Sequence, residues 1–261
     1  MNDLSGRISG ADVALSLVLV AVAVVVSRVR RADLEGDIVI ATLRSFAQLL
    51  AVGFVLDYVF DGRGTLTPLV ILVMIATATL TSGARSRRVP GARKVAAASL
   101  AVATAATLGL LLVLGIVPFA PRAAIPLGSM IISNAMNTTS LVMTRLYDDL
   151  ASHRREVEAR LSLGQTSTEA AGPWHRSALR SGMLVIVDNT KSVGLVALPG
   201  AMTGMLLAGS SASAAIRLQL VVMYMLLAGS AFAALVAGRL TLGRLFTADH
   251  QLIRSLRRMP S

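Results

Sequence analysis

Long apolar runs alternate with short polar clusters along almost the whole chain. The runs are Ala11 to Ser27, Asp37 to Phe60, Leu66 to Ser82, Val95 to Val117, Leu127 to Leu146, Ser181 to Leu198 and Ala214 to Gly238. Most have the roughly 20 residues that a helix needs to cross a bilayer; the first, about 17 residues, is at the short end. The intervening segments carry the helix breakers. They are the turn Asp61 to Gly64, the basic loop Gly83 to Lys94, the proline-bounded Pro118 to Pro126, the polar stretch Tyr147 to Arg180 and the glycine-rich Pro199 to Ser213. The pattern predicts an all-α, polytopic integral membrane helix bundle of about seven transmembrane helices in one domain, residues 1–261. Five crossings is the alternative, if two weak segments such as the first and sixth are something else. Ala201 to Gly209 is too short to span and reads as a re-entrant or interfacial piece, permitted only where protein or water satisfies its backbone.

Charge orients the bundle. Of 25 Lys and Arg, 18 fall in segments on one side and four (Arg7, Arg63, Arg122, Arg217) on the other; Arg44, Arg145 and Lys191 lie within spans. The bias of basic residues toward cytoplasmic loops places the N-terminus outside and the C-terminus in the cytoplasm. Residues 1–10 lack a basic region and cleavage site, so the first run is expected to be retained. The expected location is the cell (inner or plasma) membrane.

Composition agrees. The chain is 54% hydrophobic with mean hydropathy +0.70 and a net charge of +11. In a soluble protein that charge would suggest nucleic acid, but aromatic residues are only 4%, without the stacking surfaces that single strands use. No nucleic-acid partner is expected. Cysteine is absent, which excludes disulfides and thiolate metal sites. His153, His175 and His250 are far apart in sequence, and any metal ligands remain unknown.

The polar stretch 147–180 has structure of its own. Glu156, Glu158 and Arg160 are interleaved with Val157 and Leu161, which can share a face with Ala171 at near-helical spacing. Gly164 ends this helix. Thr166-Ser167-Thr168-Glu169 starts another, with Thr166 or Ser167 as cap and Glu169 in the first turn. A solvated connecting loop is the plain alternative.

Ionisable groups within the apolar runs are costly and therefore candidates for function. Asp188 and Lys191 are three apart and share a helix face. They read either as a permanent internal ion pair or as a carboxylate offered to a cation or proton. Arg44 and Gln48 are four apart; Arg44 either pairs with an acid such as Asp188 or snorkels to the interface. Asn134, Met136 and Asn137 on the fifth run either line a path or glue helices and fill gaps. Pro199 and Gly200 form a candidate hinge.

Several stretches resemble one family in consistent order from about residue 12 to 255. They are Arg44 to Gln48 with Gly53-Phe54-Val55-Leu56, Ile125 to Ile131, Asn134-Ala135-Met136, Leu161-Ser162-Leu163-Gly164, and Val187 to Gly204 with its Asp188-Asn189-Thr190-Lys191 and Leu198-Pro199-Gly200. These look like the FetB-type ABC transporter permeases, described as iron exporters, with plant relatives in aluminium tolerance. Glu158-Ala159 followed by Gly164 resembles the coupling loop of ABC permeases, with Arg160 where that pattern has Ala. The resemblance implies a permease that docks a separate ATPase through Glu156, Glu158, Arg160, Leu161 and Gly164. It implies that ATP and Mg sit on that partner, with no cofactor on this chain, and that the permease works as a homodimer in the lipid bilayer. The chain itself has no Gly-x-x-x-x-Gly-Lys-Ser/Thr phosphate loop, so it is not expected to be an enzyme. The competing class is a stand-alone proton-coupled secondary transporter working through Asp188, although the halves show no convincing repeat.

Overall fold

The computed structural model describes residues 10–30, 33–60, 64–195, 198–247 and 249–257. In chain order these form α1 (Gly10–Arg30), α2 (Glu35–Phe60), α3 (Thr67–Arg85), α4 (Ala92–Val113), α5 (Pro121–Ser152), α6 (Arg154–Ser162), α7 (Ser167–Ala170), α8 (Gly172–Ser192), α9 (Gly200–Leu207), α10 (Ala212–Leu245) and α11 (Arg254–Arg257). No strand occurs among the described residues; one isolated bridge joins Phe246 to Leu252. The turn expected at Asp61 to Gly64 lies largely outside the described residues.

Among the described residues, five helices have both the length and the apolar composition to cross a membrane: α1, α2, α3 with its preceding turn, α4 and α10. The other two expected crossings correspond to α5 and α8, which are 32 and 21 residues long but more polar. The weak first run is thus a 21-residue apolar helix, while the sixth is the one that polar residues dilute.

The chain divides into two compact units. One comprises Met1–Gly64 and Gly200–Ile216. Its α1 and α2 pack on one another yet leave nearly all their side chains exposed, as with Leu19 (73%) and Phe54 (75%). Helices apolar on every side are solvated by lipid, not by water.

The second unit, Thr65–Pro199 and Arg217–Ser261, holds α3, α4, α5, α8 and most of α10. Helix α5 is its axis and packs against α3, α4 and α8. Small residues set the close approaches. Gly182 of α8 faces the Val142 side chain and the Thr138 carbonyl of α5, and Gly238 of α10 faces His175 and Leu179 of α8. Without a hydrophobic drive between helices in lipid, such contacts carry the packing.

At 1.5 Å per residue α5 is ~48 Å long, against ~30 Å of hydrocarbon, so about three of its turns overhang. The overhang builds the largest apolar cluster. Val142, Met143, Leu146, Tyr147 and Leu150 of α5 pack there with Val89 and Val95 beside the 86–91 turn. Val157 of α6, Ala170 and Ala171, Trp174 and Ala178 of α8, Leu245 at the end of α10, and Leu252 and Leu256 after it complete it. The loops 86–91, 153–171 and 246–256 therefore meet at one end, the basic end of the bundle.

Two boundaries differ from expectation. Pro118 to Pro126 was expected to be a turn, but α5 starts at Pro121 and carries Pro126 inside it. Proline suits a first helical turn, and Pro121 begins the helix there; Pro126 costs one ladder bond near an end. The polar stretch expected from Tyr147 is helical almost throughout. Helix α5 continues to Ser152 and α8 begins at Gly172, because the apolar cluster at the overhang gives both helices something to pack on.

Candidate functional site

The basic end presents a structured cap. Helix α6 runs over nine residues and anchors through Val157, which is fully buried, with Leu161 packed against the same cluster. Gly164 follows at φ +87°, a left-handed conformation that other residues adopt only with strain. Thr166 then caps α7. Its hydroxyl accepts from the Glu169 amide (3.4 Å), while the Thr166 amide and hydroxyl donate to the Glu169 carboxylate (2.9 and 2.8 Å). This is a reciprocal capping box. The bond from the Thr166 amide, then that from its hydroxyl, holds the Glu169 carboxyl below its ordinary value. Helix, glycine break and short capped helix thus stand as the residue pattern predicts.

The polar residues of α6 are held from both sides. Glu156 bonds Arg160 at 2.8 Å, and Glu158 lies 4.0 Å from Arg154. The Arg160 guanidinium sits 5.3 Å from the centroid of Trp174, whose ring also meets that of His153 at 5.4 Å. Arg160, the departure from the coupling-loop pattern, therefore fastens α6 onto α8. Trp174 was missed in the sequence reading; that it is the chain's one tryptophan was the available signal. Beyond α6, Leu163 is 84% exposed. On a membrane helix that would mean lipid, but Leu163 lies in the polar cap.

His175, in the first turns of α8 ahead of the apolar run from Ser181, turns Nε2 toward Gly238. That nitrogen is buried without a hydrogen-bond partner. Burial first, and the neighbouring Arg176 second, push the imidazole pKa below its ordinary value.

After α10 the chain turns back on itself through Thr247 to Gln251 hydrogen bonds and the Phe246–Leu252 bridge, then buries Leu252 in the cap core. His250, at φ +54°, reaches Ser167 of α7. Between α6 and this turn lies a cleft of about 420 Å³ lined by Glu158, Leu161, Ser162, Gln165, Asp249, His250, Gln251 and Leu252. The role of the tail was not foreseen; its residues read as a basic terminus.

Asp188 and Lys191 do pair, at 3.8 Å, on the surface of their unit, with side chains 57% and 73% exposed. The i,i+3 spacing brings them together regardless of burial. Asn137 accepts a hydrogen bond from Arg85 at the end of α3 (2.8 Å), a partner that its neighbours in sequence did not suggest. Asn134 donates to the Met130 carbonyl of its own helix (3.0 Å), and Met136 packs against a small core of Ala78, Leu100 and Ala135. Those two behave as local bonding and gap filling. Arg44 and Gln48 lie exposed on α2 in the other unit. Pro199 and Gly200 stand where the chain leaves the second unit for the first. Among the described residues no group of three or more His, Cys, Asp or Glu is placed to hold a metal.

Comparison with known proteins follows the same line. The profile of a family described as "Uncharacterised protein family (UPF0014)" matches residues 11–246. The chain is 39% identical over 235 residues to "UPF0014 membrane protein STAR2" of Oryza sativa subsp. japonica, covering 90% of this chain and 82% of that one. It is 38% identical to "Protein ALUMINUM SENSITIVE 3" of Arabidopsis thaliana, over 92% of this chain and 88% of the relative. It is 33% identical to "Probable iron export permease protein FetB" of Escherichia coli (strain K12), over 95% and 96%. No solved structure matches the chain.

Proposed function

The chain belongs to the UPF0014 family of multi-pass membrane permeases, and on that premise we propose that it is the membrane subunit of an ABC transporter. In this reading a separate ATPase binds ATP and Mg, two copies of the permease form the pathway, and iron leaves the cell. The iron cargo and its direction rest on the name of the FetB relative.

The observation that carries the reading is the cap. A nine-residue helix ends at a left-handed glycine with Leu163 bare in water, while Val157 and Arg160 tie its other face to the bundle. An exposed apolar knob on a rigidly anchored helix is suited to a groove on a soluble partner. Force applied there passes into α5 through the one-residue joint at His153, and into α8 through Trp174.

The exposed polar groups in the membrane support the second copy. Asn137 on α5 and Asp188 and Lys191 on α8 lie open in a single chain. An ionised side chain at mid-bilayer costs at least ~2.5–3.5 kcal/mol, so such groups face a partner helix or a wet path. A second permease facing these helices supplies both. The competing mechanism is proton-driven transport through Asp188, whose carboxylate lies 3.8 Å from Lys191.

The test is co-purification with a separately encoded ABC ATPase, and transport in vesicles. Leu163→Asp abolishes association while the isolated permease keeps its thermal midpoint. Transport of Fe²⁺ by the permease alone, as fast as by the complex, would refute the proposal.

A further inference from the structure

The cap is joined to the bundle by covalent continuity at α5 and α8, but α10 has no such link to it: its chain passes into the C-terminal turn instead. The turn reaches back. His250 Nδ1 accepts from the Ser167 amide at 3.3 Å and lies 3.1 Å from the Ser167 hydroxyl, 83 residues away in sequence. Ser167 is the first residue of α7, so its amide is one of the donors that a helix start leaves unpaired. His250 satisfies it from outside.

His250 pays for this position in backbone strain. At φ +54° it occupies the left-handed region that non-glycine residues avoid. Its neighbours impose the conformation: the His250 amide donates to the Thr247 carbonyl (3.1 Å), the Thr247 amide to the Gln251 carbonyl (2.7 Å), and the Ile253 amide to the Leu245 carbonyl (3.1 Å). Leu252 and Leu256 then fix the turn in the apolar cluster shared with α6, α8 and the end of α10. A strained residue, held by its surroundings, presents its side chain to the segment that meets the ATPase.

We propose that His250 is a positioning residue that clasps the C-terminal turn to α7, so that displacement of the α6–α7 segment also moves α10. The inference rests on the ABC-permease reading of that segment and extends it: α10 already packs on α8 at Gly238 and enters the cap cluster through Leu245, and the clasp adds a direct tie from α7 to the turn that follows α10. It also makes Asp249, His250 and Gln251 the second wall of the cleft whose first wall is Glu158 to Gln165.

Two substitutions separate the clasp from the fold. His250→Gly relieves the left-handed backbone and removes the acceptor. His250→Asn keeps an acceptor, and asparagine tolerates this conformation best after glycine. In the isolated permease, hydrogen exchange at the Ser167 amide is expected to rise about fivefold in His250→Gly, the loss of one ordinary hydrogen bond, and to stay near the unaltered rate in His250→Asn. In the complex with the ATPase, spin labels on exposed Tyr224 of α10 and Leu80 of α3 report α10, while Trp174 fluorescence reports the cap. On adding ATP, His250→Gly is expected to keep the Trp174 response and reduce the Tyr224–Leu80 distance change, and His250→Asn to restore it. An undiminished distance change in His250→Gly overturns the clasp and leaves the permease reading intact. Absence of any Trp174 response in the unaltered complex overturns both.

Discussion

The guanidinium of Arg160 lies 5.3 Å from the ring centroid of Trp174 while one of its nitrogens bonds Glu156 at 2.8 Å. One side chain therefore joins α6 to itself and to α8. Arg160→Ala is expected to loosen the cap by roughly 0.5–2 kcal/mol, the range of a cation–π contact. Because Trp174 is the only tryptophan, its emission follows the change directly. An unaltered spectrum and thermal midpoint would show that the contact does not hold the cap.

Gly182 sits so close to Val142 that an added methyl has no room, with the Thr138 carbonyl also in contact range. Gly182→Ala should force α5 and α8 apart and cost about 1–3 kcal/mol, as overpacking does. Thermal unfolding in detergent measures it. Gly53, whose added methyl would meet nothing, is the control, and Gly53→Ala should leave the midpoint unchanged or slightly raised.

His175 gives the cap a response to acid. Its pKa is held below the ordinary 6.5 by burial and by Arg176. Above 6.5 the ring is neutral in both folded and unfolded chains, and the fold loses nothing. As pH falls from 6.5 toward the depressed folded value, the unfolded chain takes up a proton that the folded one refuses, and stability declines. His175→Gln should remove that part of the decline, measured as the pH dependence of the thermal midpoint.

Arg85 and Asn137, 52 residues apart, form one of the hydrogen bonds that tie the end of α3 to α5, beside that of Ser140 to Ser82. Arg85→Ala should cost about 1 kcal/mol, and Asn137→Ala a similar amount. The two together should cost little more than either, since both remove one bond; full additivity in this double-mutant cycle would deny the pair.

The sequence carried the helical class and the family, because membrane helices must be apolar and the polar breaks between them are sharp. It also carried the cap at α6 and α7: Gly164 and the Thr166–Glu169 box are local signals, read from neighbouring residues. What it hid was long-range. Pro126 suggests a turn until α5 is seen to begin only five residues earlier. Tyr147 to Ser152 read as loop because Asp148 and Asp149 mask an inner face of Leu146, Tyr147 and Leu150, which is apolar only toward α6 and α8. Asp188 and Lys191 were rightly paired by spacing, but spacing is silent on burial, and the pair lies exposed. His250 had no local signal at all; its partner is 83 residues away.

The first unit is assembled from two distant stretches, Met1–Gly64 and Gly200–Ile216. During synthesis the ribosome delivers α1 and α2 long before α9 exists. That hairpin is therefore in the lipid while the whole intervening stretch is translated and threaded, before its remaining portion arrives. Its nearly uniform apolar surface is what allows so long a wait without aggregation or slippage back into water.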